Sequence, residues 1–157
     1  MEESKVMLHS PADAIVVRAL VFPGEKRRIT ARVRDHELVM DMREEMGGEN
    51  AGPTPPEFLA MALGGCLVNI ARIMAEQRKV RLRDVRVEVS GDIDPSRALG
   101  LSSPNRAGFR AMDVRVELNA DLSGESREEF AADLRRRCAL CDTLFNETPG
   151  RVDVGFV

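Results

Sequence analysis

Three cysteines are the residues of this chain most able to carry out covalent chemistry. Cys66 follows a glycine pair inside a long apolar stretch, while Cys138 and Cys141 lie three residues apart. A deprotonated thiol is a nucleophile, and an oxidised thiol condenses with a second thiol to form a disulfide. An odd cysteine count in a chain large enough to fold without bridges indicates free thiols in a reducing compartment. We therefore expect a cytoplasmic protein whose thiols serve chemistry or packing.

The two histidines give little support to a Cys-His hydrolase. His9 lies in the polar start of the chain and His36 in a predicted turn, so neither is placed to deprotonate a thiol. A thiolate without a base needs a nearby cation, which the arginines around the first strands can supply. Zinc held by His36 and the three cysteines is an alternative, although the paired spacing of zinc knuckles is missing.

Cys138 and Cys141 form a C-x-x-C sequence. A thioredoxin-like site places such a pair at a helix N-terminus, where the helix dipole lowers the thiol pKa. Here apolar side chains recur at steps of 4, 4, 3 and 4, namely Phe130, Leu134, Cys138, Cys141 and Phe145. This pattern predicts one helix that begins with a capping box of Ser126 and Glu129 and ends at Pro149. The pair is then expected in the C-terminal half of a helix, which disfavours a thioredoxin-like site.

A long helix is predicted to carry Cys66, from about Pro55 to about Lys79. Thr54 can serve as its N-cap, and Glu57 completes a capping box. The first two thirds of this helix are apolar nearly all round, which predicts burial on most sides. One chain has few other elements to cover such a helix, so we expect a homodimer. The glycine pair before Cys66 predicts a close approach of another backbone or of a substrate.

Alternating apolar and polar residues predict the strands. Strand patterns occupy residues 14–22, 27–34, 36–42, 85–89, 112–118 and 152–157. The first three predict an antiparallel meander, and the next two are joined by a long loop. Strands and two helices in this order predict an α+β fold with antiparallel sheets. We expect a flexible N-terminus over residues 1–13 and a single domain over residues 14–157.

The composition disfavours several other classes of protein. The chain has 157 residues, a net charge of -3, no Trp, no Tyr and only six Phe. It therefore lacks the basic surplus of nucleic-acid binders and is poorly supplied with stacking rings. No apolar run reaches the length of about 20 residues that a membrane span needs. The start of the chain has no basic segment followed by an apolar one, as a secretory signal would. Neither nucleic acid nor a membrane is therefore expected as a partner.

Two segments of the chain combine motifs that are specific when they occur together. GGENAGPTPPEFLAMALGGCLVNIARIMAEQRK combines a glycine-rich loop, a Pro-Glu helix start and Gly-Gly-Cys about ten residues later, and RRRCALCDTL contains the other two cysteines. Together they resemble the OsmC/Ohr family, the osmotically inducible and organic-hydroperoxide-resistance proteins, and specifically its OsmC-like branch. RRRCALCDTL resembles the family's C-x-V-S-x-T-L segment, with Cys138 at the second family cysteine and Cys141 at the serine position. The order of elements also fits from Ala14 onwards.

The resemblance implies a two-cysteine peroxidase. In the OsmC-like fold, an intertwined homodimer, antiparallel sheets wrap around two central helices. The resemblance makes Cys66 the peroxidatic thiol, which becomes a sulfenic acid, and Cys138 the resolving thiol, which forms a disulfide with it. A dithiol reductant of the lipoyl type then restores both. The substrate is a hydroperoxide, and neither a metal nor an organic cofactor is implied.

The family's glutamate and arginine map less directly onto this chain. The organic-hydroperoxide branch has its glutamate ten residues before the first cysteine, where this chain has Pro56. Glu57 lies nine residues before Cys66, on the opposite side of a straight helix. Glu57 is therefore a catalytic candidate of the OsmC-like branch and equally a helix-capping residue.

The family arginine corresponds to Arg27 or Arg28 in one branch and lies nearest Arg43 in another, and Arg43 is favoured. The function expected is a thiol-dependent peroxidase. The alternatives are a thiol redox sensor or small-molecule-binding protein with little turnover, and a structural domain with inert core thiols.

Overall fold

The computed structural model describes residues 15–156, and these form an α+β fold with antiparallel sheets, as predicted. The chain divides into two compact units, one ending at Pro55 and the other beginning at Pro56. The predicted flexible N-terminus, residues 1–13, lies outside the described residues. The assignment of residues 14–157 to a single domain stays a prediction.

The first unit contains the predicted three-stranded meander. Its strands are β1 (Leu20–Pro23), β2 (Ile29–Val33) and β3 (His36–Met40), with β2 between two antiparallel neighbours. β1 is shorter than the apolar run that predicted it. Its four residues pair with β2, from Leu20 opposite Arg32 to Pro23 opposite Ile29.

Asp41 organises the glycine-rich loop that follows β3. Its buried carboxylate accepts hydrogen bonds from the backbone N–H groups of Met42 at 2.8 Å, Glu49 at 3.0 Å and Ala51 at 3.1 Å. The bond from Ala51 is the largest cause that lowers the pKa of Asp41, and burial opposes it. Within the loop, a Cβ on Gly48 would stand 1.9 Å from the carbonyl oxygen of Met42, so only glycine fits there.

Replacing Asp41 with asparagine should loosen this loop. An amide group cannot accept all three hydrogen bonds, so at least one backbone N–H loses its partner. We expect hydrogen exchange at Glu49 and Ala51 to accelerate by at least about tenfold. In the wild type, because the pKa of Asp41 is lowered, its contribution to stability is present above the ordinary aspartate pKa and is lost as the pH falls below it. Unchanged exchange in the variant would contradict this role.

The second unit holds the remaining helices and a long β-hairpin. Its elements are α1 (Pro55–Gln77), β4 (Leu82–Ile93), β5 (Phe109–Ala120), α2 (Glu125–Arg137) and α3 (Ala139–Phe145). β4 and β5 pair antiparallel, and their alternating valines face the core, as predicted. The buried core consists of Leu63, Leu67, Ala71, Met74, Phe130, Leu134 and Cys138.

The predicted second helix is interrupted. Cys138 has φ −80° and ψ 107°, an extended conformation that ends α2 and begins α3. The capping box was wrong too, because Gly124 is the N-cap of α2 and Ser126 lies inside the helix. The strand predicted over residues 152–157 is also not found, since residues 151–156 of the described chain form no strand. A strand needs an edge to pair with, and alternation alone does not supply one.

α1 begins where the sequence predicted and is buried on one side. Leu63, Leu67, Ala71 and Met74 enter the core, whereas Met61 is 58% exposed. A Cβ on Gly65 would meet nothing within 4 Å, so no backbone among residues 15–156 closes on that glycine. By length and composition alone α1 could cross a membrane, since its most apolar 18-residue window has a mean hydropathy of 1.8. Core helices of soluble proteins pass the same test, so this is weak evidence for a membrane span.

Candidate thiol site

Cys66 and Cys138 lie together in the core of the second unit. Cys66 stands midway along α1, and its thiol interacts directly with the thiol of Cys138, at the junction of α2 and α3. Cys138 is fully buried, whereas Cys66 is half-buried and packs against the same core cluster. The family resemblance implied a pairing of Cys66 with Cys138, and the structure brings these two thiols together.

Cys141 lies in the first turn of α3, three residues after Cys138. The backbone N–H of Cys141 donates to the sulfur of Cys138 at 3.4 Å, so the Cys138 side chain caps α3. The C-x-x-C sequence therefore begins at a helix N-terminus, and the expectation that it lies in the C-terminal half of a helix was wrong. The cause is the extended conformation of Cys138, which restarts the helix at Ala139.

Burial dominates the electrostatics of Cys66. Removal from water raises the pKa of its thiol, because the thiolate is the charged form. The backbone N–H groups of Leu140 and Ala139 point at the sulfur and oppose this shift. The neighbouring Cys138 raises the pKa further. At neutral pH the resting thiol of Cys66 is therefore protonated, and any added stabilisation of the thiolate increases its reactivity.

We expect Cys66 to react slowly with alkylating reagents at neutral pH. An ordinary thiol is about 3% ionised at pH 7, and a raised pKa reduces that fraction. The rate of iodoacetamide modification at Cys66, followed by peptide mapping from pH 6 to 10, should rise with a midpoint above that of the unfolded chain. Stability should fall over the same window as the pH rises from the unfolded to the folded pKa. A midpoint below that of the unfolded chain would show that the thiolate is already stabilised.

A cavity of about 780 Å³ opens beside Cys141. Its wall is mainly apolar and includes Leu67, Val116 and Phe145, with Arg135 contributing a positive charge. Cys141 lines this cavity, whereas Cys66 and Cys138 do not. Of the three thiols, Cys141 is thus the one that faces the cavity, and a reagent entering there meets it first.

The other predicted site residues lie away from the thiol pair or in the other unit. Glu57 is in the first turn of α1, about 13 Å along the helix axis from Cys66 and on the opposite side of the helix. Arg43 belongs to the first unit, directly before the 3₁₀ turn Glu44–Met46. Arg28, an alternative to Arg43, pairs with Glu49 at 3.0 Å. Roles for Glu57 and Arg43 stay predictions.

Two features of the site were not anticipated from the sequence. The N–H groups of Ala139 and Leu140 belong to the backbone, so no residue type indicated their role. The break at Cys138 did have a signal, because Arg135, Arg136 and Arg137 are typical of the last turn of a helix. Within residues 15–156, no group of three or more His, Cys, Asp or Glu side chains could hold a metal ion. The alternative zinc site therefore does not form in this part of the chain.

The chain belongs to the OsmC family of OsmC-like proteins. The sequence pattern of this family matches residues 47–153, which include all three cysteines. This match confirms the family resemblance drawn from the two cysteine segments. A search of curated proteins gave no match.

Several solved structures share the fold. An OsmC-like protein from Mycoplasma pneumoniae aligns with a TM-score of 0.72 at 19% identity, over 83% of this chain and 88% of the other. An organic hydroperoxide resistance protein from Legionella pneumophila gives 0.57 at 20%, over 84% and 90%. Another, from Elizabethkingia anophelis, gives 0.60 at 13%, over 83% and 89%. At these identities the likeness establishes the fold alone.

Proposed function

We propose that this protein is a thiol-dependent peroxidase that reduces organic or other hydroperoxides at Cys66. Membership of the OsmC-like family, with structural relatives named for hydroperoxide resistance, supports a redox or peroxide-related role. The observation that carries the proposal of a peroxidase is the contact between the thiols of Cys66 and Cys138 inside this fold. A two-cysteine peroxidase needs two thiols in contact.

The proposed reaction has two steps within the chain. The Cys66 thiolate attacks one oxygen of the hydroperoxide, the O–O bond breaks, and the alcohol leaves after taking up a proton. Cys66 is thereby oxidised to a sulfenic acid. The thiol of Cys138 then attacks that sulfur, water leaves, and a Cys66–Cys138 disulfide remains. The reaction needs no metal or organic cofactor.

Ionisation of Cys66 is the step that most needs stabilisation of the thiolate, because burial raises the pKa of this thiol. The N–H groups of Ala139 and Leu140 supply part of that stabilisation. We assign the rest to Arg43, whose guanidinium would stabilise the thiolate. Glu57, the other catalytic candidate, is assigned no step, because it lies on the opposite side of α1 from Cys66. In this scheme, changing Arg43 to methionine shifts the pH profile of peroxide consumption upwards, while Arg43→Lys restores part of it.

An external dithiol of the lipoyl type is the proposed reductant, and the cytoplasm the proposed location. The apolar cavity beside Cys141 suits the alkyl part of such a molecule. Reduction of the disulfide by two thiol–disulfide exchanges returns both cysteines to thiols.

A peroxide-consumption assay with dihydrolipoamide tests the proposal. Repeated turnover of an alkyl hydroperoxide, with more than one peroxide consumed per chain, is the expected result. A redox sensor with the same thiols is the second candidate, because the adjacent thiols of Cys66 and Cys138 can equally hold a single oxidation as a disulfide. A sensor would be oxidised once per chain without sustained consumption, and that result would reject the peroxidase.

We expect the protein to be a homodimer in solution. Several large apolar side chains are strongly exposed on the single chain, including Val152, Val154 and Phe156 at 75–95%. Association with a second copy would remove such apolar surface from water, which favours assembly by about 25 cal/mol per Å². Light scattering at micromolar concentration should give the mass of two chains, 2 × 17.4 kDa. The mass of one chain would contradict the prediction.

A further inference from the structure

We infer that Cys141 acts as a third thiol, which takes over the disulfide from Cys66 and presents it to the external reductant. This inference rests on the proposed peroxidase function and extends it to a residue outside that scheme, since Cys141 occupies the place of a serine in the family segment it resembles. In this disulfide relay, Cys138 is the shared partner of two successive disulfides, first with Cys66 and then with Cys141.

The position of Cys138 between the other two thiols carries the inference. Its side chain interacts with Cys66 on one side, and its sulfur accepts the N–H of Cys141 on the other. Cys138 is also the N-cap of α3, with extended backbone angles, rather than a residue inside a regular helix. A bridge between residues i and i+3 is strained within a regular helix, and the extended Cys138 removes that obstacle.

The cavity distinguishes the three sulfurs in the way that transfer of the disulfide to Cys141 requires. Cys138 is fully buried, Cys66 and Cys141 are both half-buried, and neither Cys138 nor Cys66 lines the 780 Å³ cavity. A dithiol held in that cavity therefore does not meet a Cys66–Cys138 bridge. Cys141 does line that cavity, beside apolar side chains and Arg135. Passing the bridge to Cys141 brings one of its sulfurs to the place where a reductant can attack.

The exchange is balanced without any further oxidant. The Cys141 thiolate, its proton released to solvent, attacks the sulfur of Cys138 in the Cys66–Cys138 bridge. The Cys138–Cys141 bond forms as the Cys66–Cys138 bond breaks, and Cys66 leaves as a thiolate that takes up a proton. The N–H groups of Ala139 and Leu140 point at the Cys66 sulfur and stabilise it as it leaves. Cys66 is then a thiol again, while the chain as a whole stays oxidised.

The test follows the disulfides after one equivalent of alkyl hydroperoxide. Samples are quenched with N-ethylmaleimide at successive times and mapped by mass spectrometry. The wild type should show Cys66–Cys138 first and Cys138–Cys141 later, with Cys66 alkylated in the final product. Cys141→Ser and Cys141→Ala should both stop at Cys66–Cys138, and their reduction by dihydrolipoamide should slow by at least about tenfold. Asn146→Ala changes the same cavity wall without removing a thiol, and it should keep the wild-type order of bridges.

Failure of the relay and failure of the peroxidase give different results. If peroxide is consumed but Cys66–Cys138 is the lasting product of the wild type, the relay is overturned and the peroxidase stands. If peroxide is not consumed, the peroxidase fails, and oxidation of the wild type with diamide decides the relay. A Cys138–Cys141 end product then supports it, while a lasting Cys66–Cys138 end product overturns it.

Discussion

Replacing Cys66 with serine should abolish peroxide consumption and leave the fold intact. A serine hydroxyl is nearly the same size as a thiol, but it supplies no thiolate-like nucleophile near neutral pH. Because the proposed reaction begins with attack by this one atom, we expect the rate with dihydrolipoamide to fall by at least about a thousandfold. Circular dichroism and the thermal midpoint should stay close to those of the wild type, since Cys66 is only half-buried.

Asn69→Ser is a matched control on the same helix. Asn69 is exposed on α1, one turn beyond Cys66, and it has no role in the proposed chemistry. This variant should keep the wild-type rate, so a loss specific to Cys66→Ser can be assigned to the thiol. Substantial turnover in Cys66→Ser would mean that another residue attacks the peroxide.

The sequence predicted most of the elements that hold Cys66. α1 was expected from Pro55, and it begins there because a proline suits the first position of a helix. The β4–β5 hairpin followed from strict alternation of apolar and polar residues, with Val87 now opposite Val116 in the core. Such local patterns are visible in one chain because the side-chain period alone decides them.

The break between α2 and α3 at Cys138 could not be predicted from the apolar pattern of the sequence. The apolar stripe continues from Leu134 through Cys138 to Cys141 without a glycine or proline, so periodicity alone predicts an unbroken helix. The extended conformation of Cys138 accompanies its burial in the core against Cys66, a residue on another helix. Which thiols meet therefore depended on tertiary packing. The expected strand after Pro149 shows the same limit, because its pairing partner is not defined by its own sequence.

Replacing Cys138 with serine should stop the reaction after one turnover. Serine can still cap α3, because its hydroxyl oxygen can accept the N–H of Cys141 as the sulfur does now. The variant should therefore fold, but its Cys66 sulfenic acid has no adjacent thiol with which to condense. We expect about one peroxide consumed per chain, followed by a fall in turnover of at least about a hundredfold. A dimedone adduct on Cys66, detected by mass spectrometry, should mark the trapped sulfenic acid.

Excess peroxide distinguishes Cys138 from Cys141 as the resolving thiol. A sulfenic acid without a resolving thiol is oxidised further to sulfinic acid, so Cys66 of the Cys138→Ser variant should gain two oxygens. In Cys141→Ser, the Cys66–Cys138 disulfide should form instead and protect Cys66 from that oxidation. Because the sulfur of Cys138 interacts directly with the Cys66 thiol, the two substitutions should differ sharply. A Cys66–Cys141 bridge in Cys138→Ser, formed as fast as the wild-type disulfide, would move the resolving role three residues along the chain.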